Sequence, residues 1–165
     1  MIFVTVGTHE QPFNRLIEEI DKLKGDGIIK EEVIIQKGFS NYEPKYCESY
    51  KLIGYNEMQK YLEKANIIIT HGGPASFIAP LSMGKVPIVV PRQKEYNEHV
   101  NNHQVDFVKQ VVERTGSIIP VYDINDLKHA IVNYKSNIKK HDGKFKSNNK
   151  KFCKNLELEI ENLFK

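Results

Sequence analysis

The sequence predicts an α/β fold: a single parallel sheet of about six strands with helices on both faces. Three observations predict it. Short runs rich in Ile and Val alternate with longer stretches of helical spacing. Those runs are apolar nearly throughout instead of alternating, which is how a strand covered on both faces reads. Two of them end in small turns, Gly7-Thr8 and Gly72-Gly73, that lead toward helix starts. At 165 residues, the chain has room for one such domain.

Residues 2–6 form a β-branched strand, with no basic stretch before it to suggest a secretion signal. Pro12 opens a helix whose apolar face is Phe13, Leu16, Ile17, Ile20 and Leu23, and Gly25 closes it. Strands are expected at 32–36 and 50–53. Asn56, with Gln59 three residues on, predicts a capped helix through Lys64. Residues 66–70 are a strand that His71, Gly72 and Gly73 interrupt. A helix over 74–83 follows, stopped by Gly84, and Pro80 predicts a kink or a late start. After a strand at 86–90, a long helix over 97–114 is expected to bury Val100, Phe107, Val108, Val111 and Val112 before Gly116. Residues 117–122 read as the sixth strand, and Asn125 as the cap of a helix carrying Leu127, Ile131 and Val132. This order is Rossmann-like, and residues 1–136 contain it. Residues 137–154 read as a basic connector: between 135 and 154 there are eight lysines and one acid, Asp142. Residues 155–165 read as an amphipathic helix with Leu156, Ile160, Leu163 and Phe164 on one face.

Composition excludes several function classes. A net charge of +3 is too small to argue for nucleic acid. No apolar run is long enough to span a bilayer as a helix. Cys47 and Cys153 fit no zinc or CxxC spacing, and are expected as reduced thiols in a cytoplasm. The chain holds no D-x-D pair, no GxGxxG, no P-loop and no GxSxG elbow.

Ligands of such sheets bind beyond the carboxyl ends of the strands, so the informative residues are those just after each strand. Gly7, Thr8 and His9 follow the first. His71, Gly72, Gly73 and Ser76 follow the fourth, where glycines and a helix N-terminus suit a phosphate. A tight turn without ligand explains the Gly-Gly pair equally well. Arg92, Glu98, His99, Asn102, His103 and Gln104 follow the fifth strand and offer the oriented polar groups a sugar needs. A solvated helix start is the plainer alternative. His99 and His103 are four apart, the spacing of a helical metal pair, but no further clustered ligand completes a metal site.

These residues resemble a known pattern. Val4-Thr-Val-Gly-Thr-His-Glu-Gln-Pro-Phe13, Ile69-Thr-His-Gly-Gly-Pro-Ala-Ser76, Gly84-Lys-Val-Pro87 and Val90-Pro-Arg92, continued by Glu98-His99 and His103-Gln104, resemble the glycosyltransferase family 28 C-terminal domain type. That domain is the donor-binding half of a GT-B enzyme. The likeness runs over residues 1–135 and points to short bacterial glycosyltransferases of capsule and exopolysaccharide synthesis. These are similar to the soluble subunit of a two-part N-acetylglucosaminyltransferase. The resemblance implies a UDP-sugar donor. It implies phosphate contacts at Gly7, Thr8, His71, Gly72, Gly73 and Ser76, and a uridine pocket at Gly54, Tyr55 and Met58. It implies a sugar site among Arg92, Glu98, His99, Asn102, His103 and Gln104, and needs neither metal nor cofactor. Ala79 stands where relatives carry a ribose-binding Glu. His9 is the in-chain candidate for general base. A donor half alone implies a membrane-anchored partner subunit that binds a lipid-linked saccharide acceptor. The chain would then work at the cytoplasmic face of the plasma membrane, with 155–165 as a docking helix. A non-catalytic, nucleotide-sugar-binding regulatory subunit is the alternative.

Overall fold

Successive residues of each strand face opposite sides of the sheet, and both sides are apolar. Ile2 and Val4 lie in one core with Ile35, Ile69 and Val90. Phe3, Ile34 and Ile68 lie in a second core on the other side, and Val89 in a third. The computed structural model describes residues 1–139 and 149–164. Strands β1 (Ile2–Thr5), β2 (Val33–Gln36), β3 (Glu48–Tyr50), β4 (Ile67–His71), β5 (Ile88–Val90) and β6 (Ile119–Pro120) make one sheet in the order β3-β2-β1-β4-β5-β6. Every neighbouring pair is parallel. The expected parallel sheet is present, with its six strands.

Helix α1 (Asn14–Gly25) buries Leu16, Ile17, Ile20 and Leu23 on the first face, beside α5 (Leu127–Val132) and Tyr134 of α6 (Tyr134–Lys139). On the other face, α2 (Tyr55–Lys64) buries Leu62, α3 (Pro74–Ser82) buries Phe77 and Leu81, and α4 (His103–Thr115) buries Val108. The chain therefore leaves β1 toward one face and β4 toward the other. The two strands are neighbours, so their loops part and leave a crevice at the carboxyl edge.

Several boundaries differ from expectation for identifiable reasons. Asn56 lies inside α2, which starts after Gly54 without a side-chain cap. The far end of α2 is instead closed by Lys85, whose Nζ donates to the carbonyls of Leu62 (2.6 Å), Glu63 (2.5 Å) and Ala65 (2.8 Å). Strand β3 pairs at 48–50 instead of 50–53. Helix α3 starts at Pro74 and runs through Pro80, so the late start does not occur. Helix α4 begins at His103, not at 97. Asn97 is left-handed (φ 56°), Glu98 Oε2 accepts the Gln93 N–H (3.0 Å) and Asn102 Oδ1 accepts the Lys94 N–H (2.8 Å). Side chains that bind nearby amides in this way compete with helix formation. Val100 is consequently exposed. Asp123, not Asn125, provides the cap ahead of α5, its carboxylate accepting the Asn125 N–H (3.0 Å). Val132 faces outward.

Helix α7 (Asn149–Leu163) starts inside the stretch expected as connector, of which residues 140–148 lie outside the described residues. Phe152, Leu156, Ile160 and Leu163 are all exposed on it, and so is Phe164 just after it. Among the described residues, no helix is long and apolar enough to cross a membrane.

Candidate functional site

A cavity of about 560 Å³ opens at the crevice between the β1 and β4 loops. Gly7, Thr8 and His9 form one wall, and His71, Gly73 and Ser76 another. Tyr55, Met58, Gln59 and Leu62 close it from α2, and Thr5 and Gln36 make its floor at the strand ends. Of the residues expected to bind ligand, Gln104 also lines it. Gly54, Gly72, Arg92, Glu98, His99, Asn102 and His103 do not.

His71 is the central side chain. Its Nδ1 accepts the Gly73 N–H (3.0 Å), and its Nε2 lies 2.6 Å from Ser76 Oγ. A neutral imidazole that accepts at Nδ1 carries its proton on Nε2, so Nε2 donates to the serine. The same accounting rules out a Ser-His nucleophile, because a protonated Nε2 cannot take the hydroxyl proton. The ring is wedged between two glycines: a β-carbon at Gly7 would overlap its Nε2 side and one at Gly73 its Cε1 side. Gly7 also has φ +78°, a left-handed conformation that glycine adopts without strain.

Burial, and then the Arg92 charge, pull the His71 pKa down from 6.5 to about 4. A base whose folded pKa lies below its unfolded one is protonated more readily in the unfolded chain. Its contribution is therefore complete above pH 6.5 and is lost as pH falls toward 4. At about 1.4 kcal/mol per pH unit, the gap from 6.5 to about 4 sets a ceiling of about 3.5 kcal/mol. His99 is shifted in the same direction, by burial and then by His103, His9 and Arg92. We expect urea midpoints to fall between pH 6.5 and 4.5, and His71→Gln to flatten the slope. An unchanged slope in that variant would contradict the assignment.

Fewer main-chain amides face the cavity than the glycine turn suggests. The Gly72 N–H goes to Gln104 Oε1 (3.1 Å), the Gly73 N–H to His71, and the Ser76 N–H to the Gly73 carbonyl (3.0 Å). Pro74 has none. That leaves the Ala75 N–H, which has no carbonyl one turn back within α3. Ser76 Oγ and the exposed Thr8 stand with it at this edge of the cavity.

The polar residues after β5 are largely committed to the fold. Gln104 Oε1 accepts both the Gly72 N–H and the Arg92 N–H (3.1 Å each). The Arg92 guanidinium is fully buried and donates to the carbonyls of Val6 (2.9 Å), Gln11 (2.7 Å) and Glu98 (3.1 Å). Burial lowers its pKa to about 10, against the pull of Glu98, and it stays charged at neutral pH. Glu98 is held in a two-pronged pair by Arg15 (Nε 2.8 Å, Nη2 2.9 Å). Arg15 had no signal in the sequence: its partner is 83 residues away, and Arg15 itself sits among the polar positions of an amphipathic helix.

What remains at the rim is histidine. The His9 and His99 rings are 4.6 Å apart, and those of His99 and His103 4.4 Å. His9 Nδ1 accepts the Gln11 N–H (3.1 Å), so the neutral ring presents an Nε2–H donor. His103 Nδ1 bonds Asn101 Oδ1. Among the described residues, no three His, Cys, Asp or Glu side chains are grouped to hold a metal ion.

Residues 1–160 match the family model described as the glycosyltransferase family 28 C-terminal domain. The human protein "UDP-N-acetylglucosamine transferase subunit ALG13" is 31% identical over 119 residues, covering 67% of this chain and 10% of that protein. The mouse protein of the same name is 30% identical over 118 residues, 66% of this chain and 10% of its own. This chain thus spans about a tenth of the curated relatives it matches. Among solved structures, the glycotransferase of kitacinnamycin superposes with TM-score 0.57 at 17% identity, over 79% of this chain and 33% of that one. The glycosyltransferase SnogD of Streptomyces nogalater gives 0.50 at 16% identity, over 87% and 40%. Those two likenesses concern the fold. The family match covers nearly the whole sequence, and on it the chain belongs to the glycosyltransferase family 28 C-terminal domain family.

Proposed function

We propose that this chain is the UDP-sugar-binding, catalytic subunit of a two-component inverting glycosyltransferase. It would add a hexose (galactose, glucose or N-acetylglucosamine) to a lipid-linked acceptor in capsule or exopolysaccharide synthesis. The observation that carries the reading is the cavity between the β1 and β4 loops in a family 28 domain. Its phosphate-facing donors are Thr8, the Ala75 N–H and Ser76 Oγ, and its α2 wall, with Tyr55 and Met58, takes a flat base. The relatives' name, a UDP-N-acetylglucosamine transferase subunit, supports the nucleotide and the need for a second polypeptide.

In this reaction the donor's C1–O bond to the β-phosphate breaks as the acceptor oxygen attacks from the opposite face. Charge grows on the leaving diphosphate, and fixed donors stabilise it. Ser76, Ala75 and Thr8 do so without a metal, and the buried Arg92 charge behind the loop adds a favourable field. The acceptor proton needs a base. His9 is the in-chain candidate, but to accept at Nε2 its ring must carry its proton on Nδ1 and so release the Gln11 contact. A base on the partner avoids that cost. The exposed apolar stripe of α7 supports docking on a membrane-anchored partner at the cytoplasmic face. The test is calorimetric UDP binding, followed by transfer from a panel of UDP-sugars with and without the candidate partner. Binding with transfer only in its presence is expected. Binding without transfer in the full mixture would favour a regulatory subunit, and no binding would overturn the reading.

A further inference from the structure

Family membership assigns no separate tasks to His71, which ends β4, and Ser76, in the first turn of α3. The cavity leaves one proton unaccounted for. Ser76 Oγ receives a hydrogen bond from His71 Nε2, so its own O–H points elsewhere. Among the described residues Ser76 Oγ has no other partner, and it lines the open cavity. His71, by contrast, has both ring nitrogens engaged, Nδ1 by the Gly73 N–H and Nε2 by Ser76. Its faces are pressed between Gly7 and Gly73. The ring therefore has no free polar atom to offer a ligand and no room to turn.

We propose that His71 is a positioning residue, which never touches the bound diphosphate but fixes Ser76 so that the serine hydroxyl delivers its proton to a phosphate oxygen. The proposal rests on the nucleotide reading above and adds a division of labour to it. Ser76 is the ligand-contacting donor. His71 selects which way that donor faces, and by accepting the Gly73 N–H it removes a competing amide. No proton is transferred in this arrangement, since the imidazole keeps its Nε2 proton throughout.

Two substitutions separate the ring's two contacts. In His71→Asn the side-chain oxygen takes the place of Nδ1 and the donor to Ser76 is lost. In His71→Gln the amide reaches the Nε2 position and the donor is kept. UDP affinity is measured by calorimetry on the full chain for these variants, for Ser76→Ala and for the double variant His71→Asn/Ser76→Ala, with thermal melts to verify folding. Ser76→Ala and His71→Asn are each expected to weaken UDP about tenfold, the order for a hydrogen bond to a charged group. The double variant should be no weaker than Ser76→Ala, and His71→Gln should stay within about threefold of the wild type. Nitrogen-15 NMR of the wild-type histidines should show the His71 Nε2–H tautomer, unchanged from pH 8 to pH 5.5. Multiplying losses in the double variant would mean that His71 meets the ligand itself, and would overturn the proposal. So would an Nδ1–H tautomer or a charged ring at pH 7, with UDP binding intact in both cases. If the wild type binds no UDP, the nucleotide reading falls, and the positioning role falls with it. NMR still decides the tautomer if every variant misfolds.

Discussion

Arg92→Met is expected to destabilise the chain by about 3–5 kcal/mol, the range for removing one partner from a buried charged network. The guanidinium is fully buried and joins three segments: the end of β1 through Val6, the β1–α1 loop through Gln11, and the loop after β5 through Glu98. It also lies against the Phe13 ring, 4.9 Å from its centroid. Methionine fills much of the volume but leaves those carbonyls without donors, and a buried orphan carbonyl costs about 1–3 kcal/mol. Arg92→Lys should do little better, because one ammonium cannot reproduce the fork that reaches Val6 and Glu98 together. At roughly 3 °C per kcal/mol for a chain of this size, the melting temperature should drop by about 10 °C or more. A loss below about 1 kcal/mol in urea would show that the network is dispensable. The side chain does not reach the cavity, so weaker UDP binding by a folded Arg92→Met would report the loss of its charge behind the loop.

Gly7→Ala should be comparably severe and should abolish UDP binding. Two terms add. A left-handed φ of +78° costs a residue with a β-carbon about 1–2 kcal/mol. The new methyl would also overlap the His71 ring, lying 2.9 Å from Cδ2 and closer still to Nε2. The ring cannot retreat, because Gly73 closes its other side. Gly73→Ala isolates the second term: its φ of −74° is ordinary, and the added carbon would lie 2.9 Å from Nδ1 and closer to Cε1. We therefore expect Gly73→Ala to cost less stability than Gly7→Ala but to lose UDP equally. In a His71→Ala background the overlap vanishes, and Gly7→Ala should cost only the conformational term of about 1–2 kcal/mol. A full penalty in that background would show that His71 is not what the glycine makes room for.

This changes what the glycines mean. From the sequence, Gly72 and Gly73 suggest a backbone bared for a phosphate. In the structure, Gly73 makes room for an imidazole, and Gly72 packs closely on Gln104 and Pro91 (3.1 Å from a β-carbon to each). Both kinds of close approach select glycine, and one chain cannot say which atom is approaching. Similarly, the polar cluster after β5 had the composition of a sugar site. Yet Arg92, Glu98 and Gln104 turn inward, where they satisfy amides and carbonyls that the loops would otherwise leave unpaired. A polar side chain reads the same in sequence whether its partner is a ligand or a distant backbone atom.

The sequence by itself determined the sheet, its parallel pairing and the face of nearly every helix. These depend on residues a few positions apart, such as Ile2, Phe3 and Val4 alternating or Leu16, Ile17 and Ile20 at helical spacing, and short-range periodicity is present in the chain before it folds. It also placed the candidate site residues just beyond the carboxyl ends of the first and fourth strands, and the structure makes those two strands neighbours. Only the tertiary structure decided which polar groups are free to meet a ligand. That depends on pairings such as Arg15 with Glu98 across 83 residues, or His71 held between Gly7 and Gly73. Hydrogen-bond capacity is finite, and the fold allots it among distant segments, so the donors left for a substrate are known only after every internal bond has been counted.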